Sequence, residues 1–302
     1  MTAALRLATE AEKRVRDEVT FAEWGTRLTL PQYLEREQLL RAHPWARAGM
    51  ETWFLAEGDE VLSSCETFRN DSHVSGVAGE SYAIASVFTE EKHRGKGHAH
   101  RLMVDLQAEL KKRSTAQGLV LFSDVGAKLY ERSGFRAEPA FDWLFPPIAQ
   151  SAGSDGPSIP LSMVGAPPRV TAAPNSLVLQ PSAEQLDWHH HRSRLYARLL
   201  SLPPLQQYGA QTQAGTAWWT AQFKSNELLV LWLDAPDAEA AAALIRVAQV
   251  EAHRAGLPKV RVWETMPLIG GERVPRDGEL PMSVPLNATF THWLRVDRAL
   301  WV

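Results

Sequence analysis

Apolar positions along the chain follow two spacings, one typical of buried strands and one typical of amphipathic helices. Residues 82–88 form a short apolar run with β-branched side chains towards its end, which indicates a buried strand. After a basic turn, Met103, Leu106 and Leu110 follow at intervals that place them on one face of a helix. Residues 119–123 form another apolar run of strand length. This order of strand, helix and strand predicts an α/β fold, with a mixed central sheet flanked by helices.

The same two spacings predict further elements in both halves of the chain. Strands are expected at residues 5–8, 51–56, 60–68, 217–223, 228–233 and 259–263, and another begins at Phe135. Helices are expected from Glu10 onwards and at residues 31–42, 127–133, 182–200 and 238–254. The last of these helices is followed by Gly256 and an apolar strand, much as the earlier helix is followed by Gly118 and residues 119–123. The second half is therefore either a degenerate copy of the first or similar to it by chance.

Residues 151–176 separate the two halves, because their composition differs from that of the flanking segments. They are rich in Ser, Gly, Ala and Pro, and their apolar residues show no regular spacing. Such a composition is typical of a linker or a long surface loop. We therefore predict one domain at 1–150 and a second at 177–302.

Composition and charge exclude several classes of protein. With 302 residues, of which 45% are hydrophobic and 22% charged, the chain has the balance of a globular protein with a substantial core. Its net charge of −3 argues against nucleic acid as the main partner, since phosphate binding needs a concentrated basic surface. The N-terminus lacks the apolar segment of a signal peptide, and no run approaches the ~20 apolar residues of a membrane span. Cys65 is the only cysteine, so no intrachain disulfide can form, and a cytoplasmic location is expected.

A basic, glycine-rich turn between the strand at 82–88 and the following helix carries the strongest chemical signal. It consists of Arg94, Gly95, Lys96, Gly97, His98 and Ala99. The first turn of a helix has free backbone N–H groups and the positive end of the helix dipole, and glycines let a ligand approach the backbone closely. The turn therefore predicts a site for a diphosphate, with Arg94 and Lys96 adding positive charge. Its spacing fits neither the nucleoside-triphosphate motif nor the dinucleotide motif.

The same turn resembles a known family. Arg94, Gly97 and Ala99 match the R/Q-x-x-G-x-G/A signature of GNAT acetyltransferases, and residues 129–135 resemble the FYERxGF element of that family. The resemblance implies the α+β GNAT fold and acetyl-CoA as co-substrate, and the weak repeat described above makes the second domain a candidate GNAT-like copy. A narrower resemblance, to the fungal lysine N6-acetyltransferase family, rests on five segments, at residues 64–68, 86–89, 94–99, 122–126 and 276–282.

The resemblance also implies roles for individual residues. The backbone amides of residues 94–99 would bind the pyrophosphate of CoA. The main chain of Ser86, Val87 and Phe88 would pair with the pantetheine arm and hold the thioester carbonyl. Tyr130 corresponds to the tyrosine that protonates the departing thiolate in many GNAT enzymes, although it could instead be a packed aromatic side chain. The second half has no glycine-rich turn, so we expect it to cover the substrate without binding CoA.

Acetylation of an amine needs a proton acceptor, because an ammonium ion cannot attack a thioester. A lysine ε-ammonium has a pKa of about 10.4 in water. Glu66, near the end of the strand at 60–68, is the first candidate for the base, and Asp124, directly after the strand at 119–123, is the second. Each has a structural alternative, since Glu66 could be an outward-facing charge and Asp124 could cap the helix that follows.

A free amino acid presents a carboxylate and an ammonium group, which call for an Arg and for acidic partners. The loop before residue 280 and the strand end near it offer Arg276, Asp277 and Glu264 as substrate-binding candidates, with a solvated loop as the alternative. No metal site is predicted. The consecutive residues His189, His190 and His191 would point in different directions from a helix and could not easily share one metal ion.

Taken together, these features predict an N-acetyltransferase that acts on a small-molecule amine, with the ε-amine of L-lysine as the first choice. One alternative is a different amine, such as a polyamine, an amino sugar, an amine natural product or a protein lysine. Another is a CoA-binding sensor that has lost catalysis. A second domain that covers the cleft would exclude a protein substrate, whereas an open groove would admit one. No oligomeric state follows from the sequence.

Overall fold

Two mixed β-sheets, each flanked by helices, form the fold. The computed structural model describes residues 2–149, 158–159, 165–276 and 278–302. Within the predicted linker, residues 151–157 and 160–164 lie outside these ranges. None of the helices in the described ranges combines the length and the apolar character of a membrane span.

The helices and strands follow the predicted order, with additions. The helices are α1 (Glu10–Trp24), α2 (Leu30–Ala42), α3 (Pro44–Gly49), α4 (His98–Leu110), α5 (Lys128–Glu131), α6 (Ala183–Leu199) and α7 (Ala238–Arg254), with 3₁₀ turns at Glu91–His93 and Arg298–Leu300. The strands are β1 (Ala4–Leu7), β2 (Met50–Glu57), β3 (Glu60–Val74), β4 (Val77–Phe88), β5 (Ala116–Ser123), β6 (Arg136–Ala137), β7 (Phe141–Phe145), β8 (Ser158–Ile159), β9 (Ser176–Leu179), β10 (Gly209–Gln211), β11 (Thr216–Gln222), β12 (Glu227–Asp234), β13 (Val260–Trp263), β14 (Glu272–Pro275), β15 (Leu280–Pro285) and β16 (His292–Trp293). The predicted helices are confirmed, although α5 is shorter than expected, and α3 was not predicted.

The similarity between the two halves is a structural repeat. The first sheet runs in the order β1-β2-β3-β4-β5-β15-β6, with β9 beside β3 and β16 beside β9. The second runs β14-β7-β13-β12-β11-β10-β8. In the first sheet α4 connects the parallel strands β4 and β5, and in the second α7 connects the parallel strands β12 and β13. The apolar face predicted for α4 is confirmed, because Met103, Leu106 and Leu110 are fully buried.

The two sheets exchange strands. After β6 the chain leaves the first sheet, and β7 pairs with β13 and β14 in the second. In return β15 lies between β5 and β6 of the first sheet, with Met282 opposite Leu121. Neither sheet is therefore built from one continuous stretch of chain. Because each sheet contains a strand whose sequence neighbours belong to the other, we expect the two sheets to unfold together.

Replacing Met282 by Ala is expected to lower the free energy of unfolding by about 2–5 kcal/mol, in one transition for the whole chain. Met282 is fully buried on the exchanged strand, so truncation leaves a cavity beside β5. Urea unfolding followed by far-UV circular dichroism and by tryptophan fluorescence measures both effects. Ile269→Ala, at a side chain that is 43% exposed, serves as the control and should stay within about 0.5 kcal/mol. A Met282→Ala protein whose two signals report different midpoints would contradict the coupling.

Candidate active site

A cleft of ≈ 1370 Å³ is lined by residues of both sheets. The predicted site residues that line it are Glu66, Ser86, Val87, Phe88, Arg94, Gly95, Gly97, His98, Ala99, Asp124, Tyr130 and Arg276. Lys96 and Glu264 are not among its lining residues, and Asp277 lies outside the described residues. The structure thus brings together in one cleft most of the residues that the sequence pointed to.

Strands β4 and β5 separate at the cleft. Their pairing ends where Ile84 meets Leu121, whereas β4 continues to pair with β3 on its other side as far as Phe88. Within the described part of the chain, the backbone of β4 beyond Ile84 therefore has no strand partner on the side of β5. An unpaired strand edge in a cleft can bind an extended ligand through main-chain hydrogen bonds. This edge contains Ser86, Val87 and Phe88, the segment expected to hold a pantetheine arm.

Arg16 on α1 holds the irregular part of β4. The register between β3 and β4 shifts near Glu66, and Ser86 has a φ of +52°, a conformation that costs energy in a residue other than glycine. Nη2 of Arg16 donates a hydrogen bond to the Ser86 carbonyl at 2.8 Å, and Nε donates to Oγ of Ser64 at 3.0 Å. Its Nη1 pairs with Oε1 of Glu66 at 3.0 Å. The buried guanidinium of Arg16 thus stabilises both the bulge at this register shift and the buried carboxylate of Glu66.

The glycine-rich turn has the geometry of an anion site. Gly95 and Gly97 have φ values of +77° and +82°, and a Cβ atom at either position would meet no other atom within 4 Å. Gly97 caps α4 without a side-chain hydrogen bond, so the first N–H groups of the helix remain available to a ligand. The Arg94 side chain instead donates from Nε to the carbonyl of Thr89 at 3.0 Å, which ties the turn back to the end of β4.

Tyr130 on α5 lines the same cleft and is 6% exposed. Its hydroxyl has no hydrogen-bond partner among the described residues. Burial, with smaller contributions from the nearby Cys65 and Asp124, raises the pKa of Tyr130 to about 12. A phenol with this pKa keeps its proton at neutral pH, which is the state that a general acid needs.

The two candidate bases differ in their surroundings. Glu66 is 5% exposed and its Oε1 is bound by Arg16, so protonation of that carboxylate would break a buried ion pair. Asp124 is exposed to the cleft and accepts one hydrogen bond, from the backbone N–H of Glu279 at 3.0 Å. Of the two, Asp124 is therefore the carboxylate that is open to a molecule in the cleft.

Of the two predicted substrate-binding residues that the structure describes, only Arg276 lines the cleft. Glu264 forms a two-pronged ion pair with Arg273, at 2.6 and 2.7 Å, and accepts a third hydrogen bond from Trp143. These contacts lower the pKa of Glu264 and occupy both of its oxygens away from the cleft. Arg276 does line the cleft, with its Nε donating to Oδ1 of Asp142 at 2.8 Å.

Among the cleft residues that the sequence analysis did not single out are Arg16, Glu279 and Arg298. Arg16 lies in a helix rich in charged residues, where nothing distinguishes it from exposed neighbours. Glu279 lies two residues after the predicted Asp277, but its positive φ could not be seen in the sequence. Arg298 is buried in a 3₁₀ turn near the C-terminal end of the sequence, and no motif marks it.

Comparisons with known proteins show which families and folds the chain resembles. Residues 19–140 match the family model of the GNAT acetyltransferase domain, and residues 168–273 match that of the LYC1 GNAT-like C-terminal domain. A conserved protein from Enterococcus faecalis has a similar fold, with a TM-score of 0.59 and 13% identity over 95% of this chain and 73% of its own. A GCN5-related N-acetyltransferase from Anabaena variabilis also has a similar fold, with a TM-score of 0.58 and 13% identity over 93% of this chain and 72% of its own. Eis1 from Mycobacterium abscessus has a TM-score of 0.54 and 12% identity over 94% and 74%.

The chain therefore contains two GNAT-type domains, which confirms the predicted fold, and the second half is the GNAT-like copy that the sequence leaves as one of two possibilities. Its sequence is similar to a lysine acetyltransferase from Yarrowia lipolytica, with 27% identity over 170 residues. That match covers 47% of this chain, and it spans less than half, 43%, of the length of the curated relative.

Proposed function

We propose that the protein transfers the acetyl group of acetyl-CoA to the amine of a small molecule, with the ε-amine of L-lysine as the preferred acceptor. The observation that carries the proposal is the unpaired edge of β4, which begins beyond Ile84 and leads to the glycine-rich turn. An extended chain with a diphosphate at one end fits this arrangement, because the strand edge binds the arm and the helix N-terminus binds the anion. The similarity to a lysine acetyltransferase supports lysine as the acceptor.

The residues of the cleft suggest how the reaction proceeds. The amine nitrogen attacks the thioester carbon, the carbon–sulfur bond breaks, and the sulfur leaves as a thiolate. Asp124, directly or through a water molecule, takes the proton that the amine must lose, and the protonated Tyr130 gives its proton to the thiolate. Backbone N–H groups on the free edge of β4 stabilise the negative charge on the carbonyl oxygen. Glu66 serves in this scheme by keeping Arg16, and through it the Ser86 bulge, in place.

A thiol-release assay with acetyl-CoA tests the proposal against a panel of amines. The panel contains L-lysine, L-ornithine, polyamines and aminoglycosides. Turnover that is fastest with L-lysine is the expected result. Fast turnover with another amine alone would contradict lysine as the acceptor. CoA binding without release of thiol on any amine would contradict the enzyme and favour a CoA-binding sensor.

Replacing Gly97 by Ala is expected to weaken CoA binding about 10- to 100-fold, because the strained residue shifts backbone N–H groups that would bind the diphosphate. The left-handed conformation itself costs roughly 1–2 kcal/mol in alanine. Isothermal titration with CoA measures the affinity, and urea unfolding measures the stability.

Gly76 offers a matched control for this variant. It has a φ of +85°, free space at its Cβ position and a place in the turn between β3 and β4, and it is not among the residues that line the cleft. Gly76→Ala should therefore lose similar stability and keep its affinity for CoA. Equal affinities in the two alanine variants would rule out the turn as the diphosphate site.

A further inference from the structure

Two buried arginines in the cleft have hydrogen-bond donors without acceptors. The Arg298 side chain is 2% exposed, and its Nη2 donates to Oε1 of Gln222 at 3.0 Å, while Nε and Nη1 have no partner in the described part of the chain. The Arg276 side chain is 4% exposed, and its Nε and Nη2 are bound by Asp142 and the carbonyl of Phe141, while Nη1 is unpartnered. Buried charged donors normally find acceptors, so these atoms indicate that a ligand group is expected here.

Both guanidinium groups lie over the ring of Trp263. The central carbon of Arg276 lies 3.7 Å from the ring centre of Trp263, and that of Arg298 lies 5.2 Å from the same ring and 4.1 Å from Trp301. The Trp263 ring is in turn 5.0 Å from the ring of Phe122. Because Phe122 lies near the end of β5, directly before Ser123 and Asp124, the arginines lie on the side of the cleft where β4 and β5 separate.

Glu279 connects this pair to the residues assigned to proton transfer. Its backbone N–H donates to Asp124 at 3.0 Å, and its Oε1 is 3.7 Å from Nη2 of Arg298, beyond hydrogen-bond distance. Glu279 has a φ of +50°, an unusual conformation for a residue that is not glycine, and such strain is concentrated at functional sites. Its carboxylate lines the cleft beside the two arginines.

The local charges leave room for one more anion. Asp142 is shared between Arg276 and Arg261, and Arg261 also pairs with Glu227 at 3.0 Å, so the carboxylate that faces Arg276 is a shared one. Glu279 is the only ion-pair partner of Arg298 among the described residues, and its contact is loose. Burial lowers the pKa of Arg298 to about 10, which leaves it charged at neutral pH. A carboxylate that bound between the arginines would supply the missing acceptor and a closer negative charge for Arg298.

We propose that Arg298, with Arg276 beside it, binds the carboxylate of the acceptor molecule, and that Glu279 binds its α-ammonium group. The inference rests on the proposed function and narrows it to a free diamino acid. A polyamine or an aminoglycoside would leave the arginine donors unpaired and would add positive charge next to them. A lysine within a protein has neither a free carboxylate nor a free α-ammonium group, so it would bind neither the two arginines nor Glu279.

Substrate analogues test the proposal on the unmodified protein, so that no variant has to fold. L-Lysine is compared with its methyl ester, which lacks the negative charge, and with cadaverine, which lacks the carboxylate altogether. We expect kcat/KM to fall about 100-fold or more for both analogues, because they leave buried donors unpaired. Equal turnover of all three amines would overturn the proposal.

Variants of Arg298 then test whether its side chain causes the preference for an amine that carries a carboxylate. Arg298→Gln should lower kcat/KM for L-lysine about 100-fold and leave cadaverine nearly unchanged, so that the preference for a carboxylate disappears. Arg298→Lys, which keeps the charge and loses the planar fork, should recover part of that preference. Arg295→Gln is the matched control, since Arg295 lies in the same segment, pairs with Asp297 and is not among the residues that line the cleft. A carboxylate preference that survives in Arg298→Gln would contradict the assignment.

A binding measurement separates this inference from the proposed function. L-Lysine and its methyl ester are titrated into the protein in the presence of saturating CoA, without any acetyl donor. Binding of lysine but not of the ester, in a protein that releases no thiol from acetyl-CoA, would support the carboxylate site and contradict the enzymatic proposal. Release of thiol with every amine, without a preference for lysine over its ester, would contradict the carboxylate site alone.

Discussion

Replacing Tyr130 by Phe is expected to lower kcat about 100- to 10,000-fold while the affinity for CoA changes little. The variant keeps the ring that packs against Phe135 and removes only the hydroxyl that faces the cleft. Without that proton donor, the thiolate must leave unprotonated or take its proton from water. Steady-state kinetics with acetyl-CoA and L-lysine, together with titration of CoA, measure the two quantities.

The pH dependence of kcat makes this prediction sharper. Burial raises the pKa of Tyr130 to about 12, so the acid stays protonated at every pH below that value. In the unmodified enzyme kcat should therefore rise or stay level from about pH 7 to about pH 10 as the amine loses its proton, with no fall due to the acid. A fall in kcat within this range that is absent from Tyr130→Phe would show that the hydroxyl titrates normally.

Tyr208→Phe is the matched control for the loss of a phenol. Tyr208 is also buried, with a raised pKa, but it is not among the residues that line the cleft. This variant should keep the kcat of the unmodified enzyme. A Tyr130→Phe protein with an activity close to that of Tyr208→Phe would mean that the thiolate is protonated by another group.

Replacing Arg16 by Gln is expected to destabilise the fold by about 3–5 kcal/mol, because it leaves the buried carboxylate of Glu66 without its partner. The Arg16 side chain is 6% exposed and that of Glu66 is 7% exposed. The variant also loses the hydrogen bonds to Ser64 and to the Ser86 carbonyl, so the bulge of β4 loses its support. Urea unfolding measures the stability, and KM for acetyl-CoA, which should rise, reports on the edge of β4.

Two further variants control this experiment. Arg14 lies on the same helix, is 69% exposed and has only a surface contact with Glu18 at 3.9 Å, so Arg14→Gln should cost less than about 1 kcal/mol. The double variant Arg16→Gln, Glu66→Gln removes both charges and should recover part of the loss. If Arg16→Gln were no less stable than Arg14→Gln, the buried pair would not be the support that its contacts indicate.

The glycine-rich turn and helix α4 could be predicted because their causes are local. Gly95 and Gly97 adopt left-handed conformations that few other residues tolerate, and they lie within a few positions of the helix that they precede. The apolar spacing in α4 identified its buried face without any knowledge of the sheet that covers it. The family resemblance, which rests on the same short segments, led to the GNAT fold of the first half, whereas the second half was only a possible copy on the basis of its repeated order of helix, glycine and strand.

The exchange of β7 and β15 could not be predicted in this way. Both are short, mostly apolar strands, and each would fit either sheet by its own pattern. Which sheet receives them depends on pairing with residues more than a hundred positions away, as between Met282 and Leu121. The prediction of Glu264 as a substrate-binding residue shows the same limit, since Arg273 binds its carboxylate away from the cleft.

By itself, the sequence determined the main helices, the strands on either side of α4 and the glycine-rich turn before it, since these follow from preferences that act over a few residues. Only the tertiary structure decided which charges are buried and what faces them. Arg16, Arg276 and Arg298 look like surface residues in the sequence, because an Arg is usually exposed. They are buried because partners from distant segments and an aromatic ring surround them, and a contact of that kind exists only once the chain has folded.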